Sequence, residues 1–144
     1  MNFIKKKNIF YDYLVHMRPT TPLRRLDTLE KILNFFKKNI KKFDSLRSVQ
    51  KMSESSYKSF VIKNKNYLIP TFKKNKKLDY FNKPRQFFPN TFFPNGYMDI
   101  YKTKNLLKKT LYGNSTAAYI TENVVEIDDM NNFLYFKYLL SKKV

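Results

Sequence analysis

A mixed α/β fold is what this sequence predicts, and three observations lead to it. A strand-like segment, a proline-broken loop, a helix with one apolar stripe and a second short strand follow one another in about forty residues, the pattern of a βαβ unit. Further short strand-like and helical segments continue that mixture to the C-terminus. At 42% hydrophobic and 17% aromatic, the 144-residue chain can also fill a core, which argues against wholesale disorder and for one domain.

Residues 10–16 alternate aromatic and aliphatic side chains and read as a buried strand, which Arg18-Pro19-Thr20-Thr21-Pro22 then breaks. Asp27 followed three residues later by Glu30 resembles a capping box. Leu29, Ile32, Leu33, Phe35 and Phe36 form an apolar stripe behind it, so a helix is expected over residues 28–41 and a short strand over 45–49. Residues 58–62 and 67–69 read as the two strands of a hairpin around a polar turn, followed by a lysine-rich stretch at 73–77. Pro84, Pro89 and Pro94 should hold residues 83–95 extended, and Asn95-Gly96 should make a tight turn into a strand at 97–101. A helix near 104–109, a strand near 117–121 and an amphipathic helix over 130–140 complete the expected order.

Composition removes several kinds of chemistry. With no cysteine and the single histidine His16, no disulfide scaffold, zinc ribbon or His-rich metal cage can form, and any metal site must use carboxylates. No apolar run approaches the ~18–20 residues that span a bilayer, and no signal-peptide pattern opens the chain, so a cytoplasmic protein with no membrane partner is the expectation. The net charge of +18 raises nucleic-acid binding as a candidate. Against it, 29 basic residues include only Arg18, Arg24, Arg25, Arg47 and Arg85, leaving 24 lysines spread over the whole length. Bidentate readers of bases and phosphates lean on arginine, so no nucleic-acid partner is expected.

Among acids, Glu126 and Asp128 stand two apart and would point to one side of an extended segment, where they could hold Mg²⁺. The competing role is that Asp128 or Asp129 caps the following helix. Arg18, Arg24, Lys58 and Arg85 lie beside turns or strand ends where a cation could meet a phosphate or carboxylate, or simply remain solvated. Asn95 could supply a turn conformation or bind a polar ligand. His16 has no Ser/Asp arrangement near it, which leaves a buried, satisfied histidine as the expectation. No GxGxxG or Walker A cradle occurs.

Six of these segments, in this order, resemble a known family. His16-Met17-Arg18-Pro19-Thr20-Thr21-Pro22-Leu23-Arg24 is similar to the PTSPLR-type loop of the acylneuraminate cytidylyltransferases, and Asp44-Ser45-Leu46-Arg47-Ser48-Val49 to their ADSVRSV-type strand. Tyr57-Lys58 resembles the PYK element and Pro84-Arg85-Gln86 the PRQ element. Pro94-Asn95-Gly96-Tyr97-Met98-Asp99-Ile100 resembles PNGxIxI, and Val125-Glu126-Ile127-Asp128 the IDID signature. The resemblance implies a partial Rossmann-like nucleotide-diphospho-sugar transferase fold, with an α/β core over 1–56 and 95–144 and a small β-hairpin dimerisation subdomain over 57–94. It implies transfer of CMP from CTP to a nine-carbon α-keto acid sugar of the sialic, legionaminic or pseudaminic type, with Mg²⁺ and release of pyrophosphate, in a homodimer. Carried over by position, Glu126 and Asp128 would hold the metal, and Arg18, Lys58, Arg85, Asn95 and Asp99 would face the sugar.

Three departures accompany the likeness. The first is Glu126, which stands where Asp is usual, and the second is a pair of sugar-facing positions, Arg18 where many members carry Gln and Asp99 where some carry Tyr. The third departure is that no ARxGSK-type nucleotide-gripping loop occurs, so the chain corresponds to roughly the C-terminal two thirds of such an enzyme and catalysis by it alone is not expected. Two other readings compete: a noncatalytic remnant that keeps a sugar-binding, dimerising module, and a basic nucleic-acid-binding protein.

Overall fold

The computed structural model describes residues 11–72 and 77–142, so Phe10 and most of the lysine-rich stretch lie outside the described residues. The chain divides into two units, residues 1–50 with 94–144, and residues 51–93.

The first unit is built on a mixed sheet of four strands: β1 (Tyr13–His16), β2 (Ser45–Lys51), β5 (Phe92–Lys102) and β6 (Thr116–Ile120). Their order is β1-β5-β2-β6, with β1 antiparallel to β5 and β2 parallel to β6. The strand–helix–strand beginning of the chain therefore does not pair its own two strands, because β5 lies between them. Helix α1 (Leu26–Lys38) places the expected stripe on the sheet, with Ile32 and Phe36 buried against Leu46, Met98, Ile100 and Ala117. Edge-on ring contacts at 5.5 Å from Phe36 to Tyr13 and 5.6 Å from Phe35 to Tyr119 extend that core towards both sheet edges.

The helix begins earlier than the capping box predicts. Arg25 holds the N-cap position without a side-chain cap bond, and Asp27, one residue inside α1, pairs with Arg25 at 3.1 Å and Lys31 at 3.5 Å. A carboxylate there still favours the helix N-terminus through its dipole. Another difference is β5, which runs unbroken through Asn95-Gly96 where a tight turn is expected. Gly96 takes φ +62° inside the strand, and the buried Asn95 side chain anchors the chain on either side of it, so the backbone kinks without reversing.

Met98 and Ile100 face α1, and Asp99 and Tyr101, one residue out of phase, turn to the opposite side of β5 with Arg47. Short helix α2 (Thr103–Leu107) and the segment after it are tied to Asp44, which accepts bonds from the Asn114 amide at 3.1 Å and Lys102 Nζ at 3.3 Å. Helix α3 (Met130–Ser141) is capped by Asp129, whose carboxylate accepts from the Asn132 amide at 2.7 Å. It is not amphipathic as the sequence suggests: Phe133, Leu134, Tyr135, Tyr138 and Leu140 are all exposed and no residue of it is buried.

The second unit carries the two-stranded hairpin β3 (Phe60–Lys63) and β4 (Tyr67–Pro70), antiparallel, turning through Asn64 and Lys65 at positive φ. Lys58 precedes β3 in a 3₁₀ turn that Ser55 caps. Two further 3₁₀ turns follow, Leu78–Asn82 before the stretch expected to be extended and Arg85–Phe87 interrupting it. They bring Tyr80, Phe81, Phe87 and Phe88 into mutual edge-on contact, a small aromatic core in which Phe81 and Phe88 are buried.

Candidate functional site

Three segments remote in sequence meet at the start of β5: the proline loop after β1, the Asn95-Gly96 kink, and residues 121–128. The loop is fastened by its own polar groups. Arg18 donates its backbone amide to the Gly96 carbonyl at 3.2 Å, and the fully buried Thr21 donates its hydroxyl to the Asn95 carbonyl at 3.2 Å. Arg24 spends its guanidinium on three backbone carbonyls, those of Tyr97 at 2.8 Å, Arg18 at 2.6 Å and Gly96 at 3.1 Å. Burial lowers its pKa from the ordinary arginine value, and five-donor geometry suits the fork-like task. The Tyr97 hydroxyl accepts from the Arg25 amide at 2.6 Å, and the Ile127 amide donates to the Thr20 carbonyl at 2.8 Å, which draws the acidic segment against the loop.

At the meeting point, Gly96 is needed for space as well as for its backbone angle. A Cβ there would lie 2.6 Å from Arg18 Cδ, 3.0 Å from Glu126 Oε1 and 3.0 Å from Thr21 Oγ1. The Arg18 stem therefore lies across the glycine, and its guanidinium comes within 4.0 Å of Glu126 Oε1. That oxygen is buried and has no hydrogen-bond partner, an expensive condition for a carboxylate unless something else can take its lone pairs.

The Glu126 and Asp128 carboxylates are hard oxygen donors of the kind Mg²⁺ takes one or two at a time, completing its shell with water and phosphate oxygens. Among the described residues no cluster of three or more His, Cys, Asp or Glu side chains occurs, so a site built wholly of protein ligands is not the type present. The unpartnered Glu126 oxygen and the exposed Asp128 carboxylate, which Asp129 frees from capping, fit the partial kind of site.

Asn95 is fully buried and its amide is committed inward. Its Nδ2 donates to Thr121 Oγ1 at 2.6 Å and Gln50 Oε1 at 3.3 Å, and its Oδ1 accepts from the Tyr97 amide at 3.3 Å. Gln50 Oε1 also accepts from the Val124 amide at 2.8 Å, so the pair fixes the 121–128 segment to the sheet. Asn95 thus shapes the site without presenting its amide to a ligand. Beside it, Leu23, Arg25, Thr28, Thr121, Val124 and Leu139 line part of a cleft of about 250 Å³.

Asp99 is on the opposite face of β5 from the core, 3% exposed, with Oδ2 accepting from the Tyr101 hydroxyl at 3.0 Å and lying 3.9 Å from Arg47 Nε. Arg47 Nε and Asp99 Oδ1 are both buried without hydrogen-bond partners, and the Arg47 guanidinium stacks over Tyr112 at 5.2 Å. Burial, with the Tyr112 bond and the Asp99 charge behind it, pushes the Tyr101 hydroxyl well above the ordinary tyrosine value. His16, expected to be buried, is exposed; β1 is an edge strand, and the ring stacks on Tyr101 at 6.5 Å. Lys58 and Arg85 belong to the second unit, where Lys58 Nζ donates to the Lys83 carbonyl at 3.2 Å and Arg85 Nη1 to the Ser53 carbonyl.

Sequence reasoning singled out Arg18, Glu126 and Asp128 but missed Thr21, Gln50 and Arg47. Thr21 had a readable signal, a small hydroxyl between two prolines of a loop that must be fastened; Gln50 had none, because its partners are 45 and 74 residues away. No family model matches the chain, and no curated protein matches it.

Proposed function

We propose that this chain carries the metal-side and acceptor-side residues of a sugar nucleotidyltransferase of the acylneuraminate cytidylyltransferase kind, joining CMP from CTP to a nine-carbon α-keto acid sugar with release of pyrophosphate. The observation that supports it is the convergence at Gly96. The three motif segments containing Arg18, Gly96 and Glu126 resemble parts of one family site, and they meet within a few ångströms around a residue that has no side chain.

In this reading Glu126 and Asp128 hold Mg²⁺, which when bound neutralises charge developing on the nucleotide's phosphates. The chain's own residues do the positioning. Arg24 and Thr21 fix the loop, Asn95 and Gln50 fix the acidic segment, and Arg18 offers a guanidinium whose planar fork matches a carboxylate. In the same reading the unit containing Lys58 and Arg85 is the dimerisation element. The Rossmann-like form of the core belongs to the same proposal, supported by its mixed sheet with α1 on one face.

The experiment is pyrophosphate release from CTP and Mg²⁺ with a panel of nine-carbon keto sugars, on the chain alone and preceded by an ARxGSK-type segment. Sugar-dependent release in the extended form is expected, with Asp128→Asn removing on the order of 99% of it, as loss of a metal-neutralising ligand does. Absence of sugar-dependent release from a folded extended form overturns the proposal.

A further inference from the structure

Arg18 and Glu126, two of the positions where this chain departs from the family pattern, are the two side chains that face each other across Gly96. Their separation of 4.0 Å is too long for a hydrogen bond, and Glu126 Oε1 accepts none. The contact is therefore a loose ion pair that hides a carboxylate oxygen without satisfying it. Arg18 can leave, since its side chain is 39% exposed and only its backbone and stem are held, by the Gly96 carbonyl and the glycine's open face. Arg24, the other arginine at this point, cannot, because its guanidinium is fixed on three carbonyls.

We propose that Arg18 gates Glu126: it covers the carboxylate when no divalent cation is present and, displaced by one, becomes the receptor for the carboxylate of the acid ligand. The inference rests on the reading that Glu126 holds the cation. A guanidinium and a divalent cation repel one another at one oxygen, so only one of them occupies it at a time. The released fork meets a planar carboxylate in a bidentate way, and cation and acid then bind with positive coupling, each raising the affinity of the other by the same factor. The extra methylene of Glu126 is the counterpart of the longer, charged residue at position 18. The two departures act as one device.

The test is Mn²⁺ binding to the full chain at low salt, followed by loss of the free-ion paramagnetic resonance signal, with N-acetylneuraminate or its uncharged methyl ester added. Arg18→Gln should tighten Mn²⁺ binding about three- to tenfold, the size expected for removing a partly exposed competing cation. N-acetylneuraminate should tighten Mn²⁺ binding to the native chain by a similar factor, its methyl ester should not, and Arg18→Gln should abolish the coupling. Arg18→Lys keeps the stem over Gly96 and the charge, so it should restore the weaker Mn²⁺ binding with less coupling to the acid, which separates gating from misfolding. If Glu126→Gln weakens Mn²⁺ binding and Arg18→Gln leaves it unchanged, the gate is wrong and the cation reading stands. If Mn²⁺ does not bind, or binds equally well to Glu126→Gln, both fall together.

Discussion

The two units solve the problem of internal order with different chemistry. The first buries polar side chains and satisfies most of them: Thr21, Ser45, Ser48, Gln50 and Asn95 are each less than a tenth exposed, and each donates to or accepts from a named partner across the sheet or loop. The second buries two phenylalanines in a cluster of ring edges and leaves much of its hairpin exposed, with Val61, Ile62, Tyr67 and Leu68 each at least half open to solvent. Directional bonds in a low-dielectric interior specify one geometry, and ring contacts tolerate many. The difference teaches where to look for chemistry: in the first unit, at the few polar atoms its networks leave unpaired, Glu126 Oε1, Asp99 Oδ1 and Arg47 Nε.

The largest effect that could break this comparison is a methylene-deleting change in each unit. Leu46 is fully buried in the first unit's core, so Leu46→Ala should cost about 2–5 kcal/mol in urea unfolding. Ile62 is 70% exposed on the hairpin, and Ile62→Ala should stay within about 0.5 kcal/mol. Equal losses from the two would mean that the hairpin face is covered in solution and that the contrast drawn here is wrong.

A middle-sized effect sharpens the comparison within the first unit. Gly96 and Gly113 have φ of +62° and +69°, and a Cβ at either would crowd a side chain at 2.6–2.7 Å, Arg18 in one case and Asp44 in the other. Gly96→Ala and Gly113→Ala should each lose about 1–2 kcal/mol from the left-handed backbone, with a further loss from crowding. Only Gly96→Ala should also change Mn²⁺ affinity, because only there does the new methyl group move Arg18 against Glu126. A matching change in both would remove Gly96 from the site.

What was legible in the sequence follows the range of the forces involved. The Leu29–Phe36 stripe predicted α1 because helix periodicity is local, and the 67–69 strand and the polar turn before it were readable for the same reason. The Asn95-Gly96 pair was misleading: its dipeptide chemistry is that of a turn, and what keeps the strand from reversing there is Thr121 and Gln50, brought there by the sheet. Helix α3 failed in the other direction, as its apolar spacing suggested a buried face, yet none of its residues is buried and only Asn132, Phe136 and Leu139 are half-covered. Of the site, the charged residues Arg18, Glu126 and Asp128 were visible as types at motif positions. That Arg18 faces Glu126 was not, since 108 residues separate them and only the fold of β5 between brings them to one glycine.

The smallest expected effect concerns Asp44, which ties α2 and the loop after it to the start of β2. Its carboxyl is held below the usual carboxylate value, chiefly by the Asn114 amide at 3.1 Å, with burial opposing and Lys102 and Lys104 adding to the lowering. A carboxyl with a lowered folded-state pKa binds fewer protons folded than unfolded. Its contribution to stability is therefore complete above its unfolded value, near 3.8, and is lost as the pH falls through the lower folded one. Melting temperature measured from about pH 6 to about pH 2 should drop more steeply at the acid end for the native chain than for Asp44→Asn, whose amide does not titrate. Asp27 provides the comparison: its pKa is lowered first by the bond from Arg25, but the pair is exposed on the first turn of α1, so added salt should shrink its share and leave that of Asp44, which rests first on a backbone amide, largely in place. Parallel acid limbs for the native chain and Asp44→Asn would mean that the Asn114 bond does not hold this corner of the sheet.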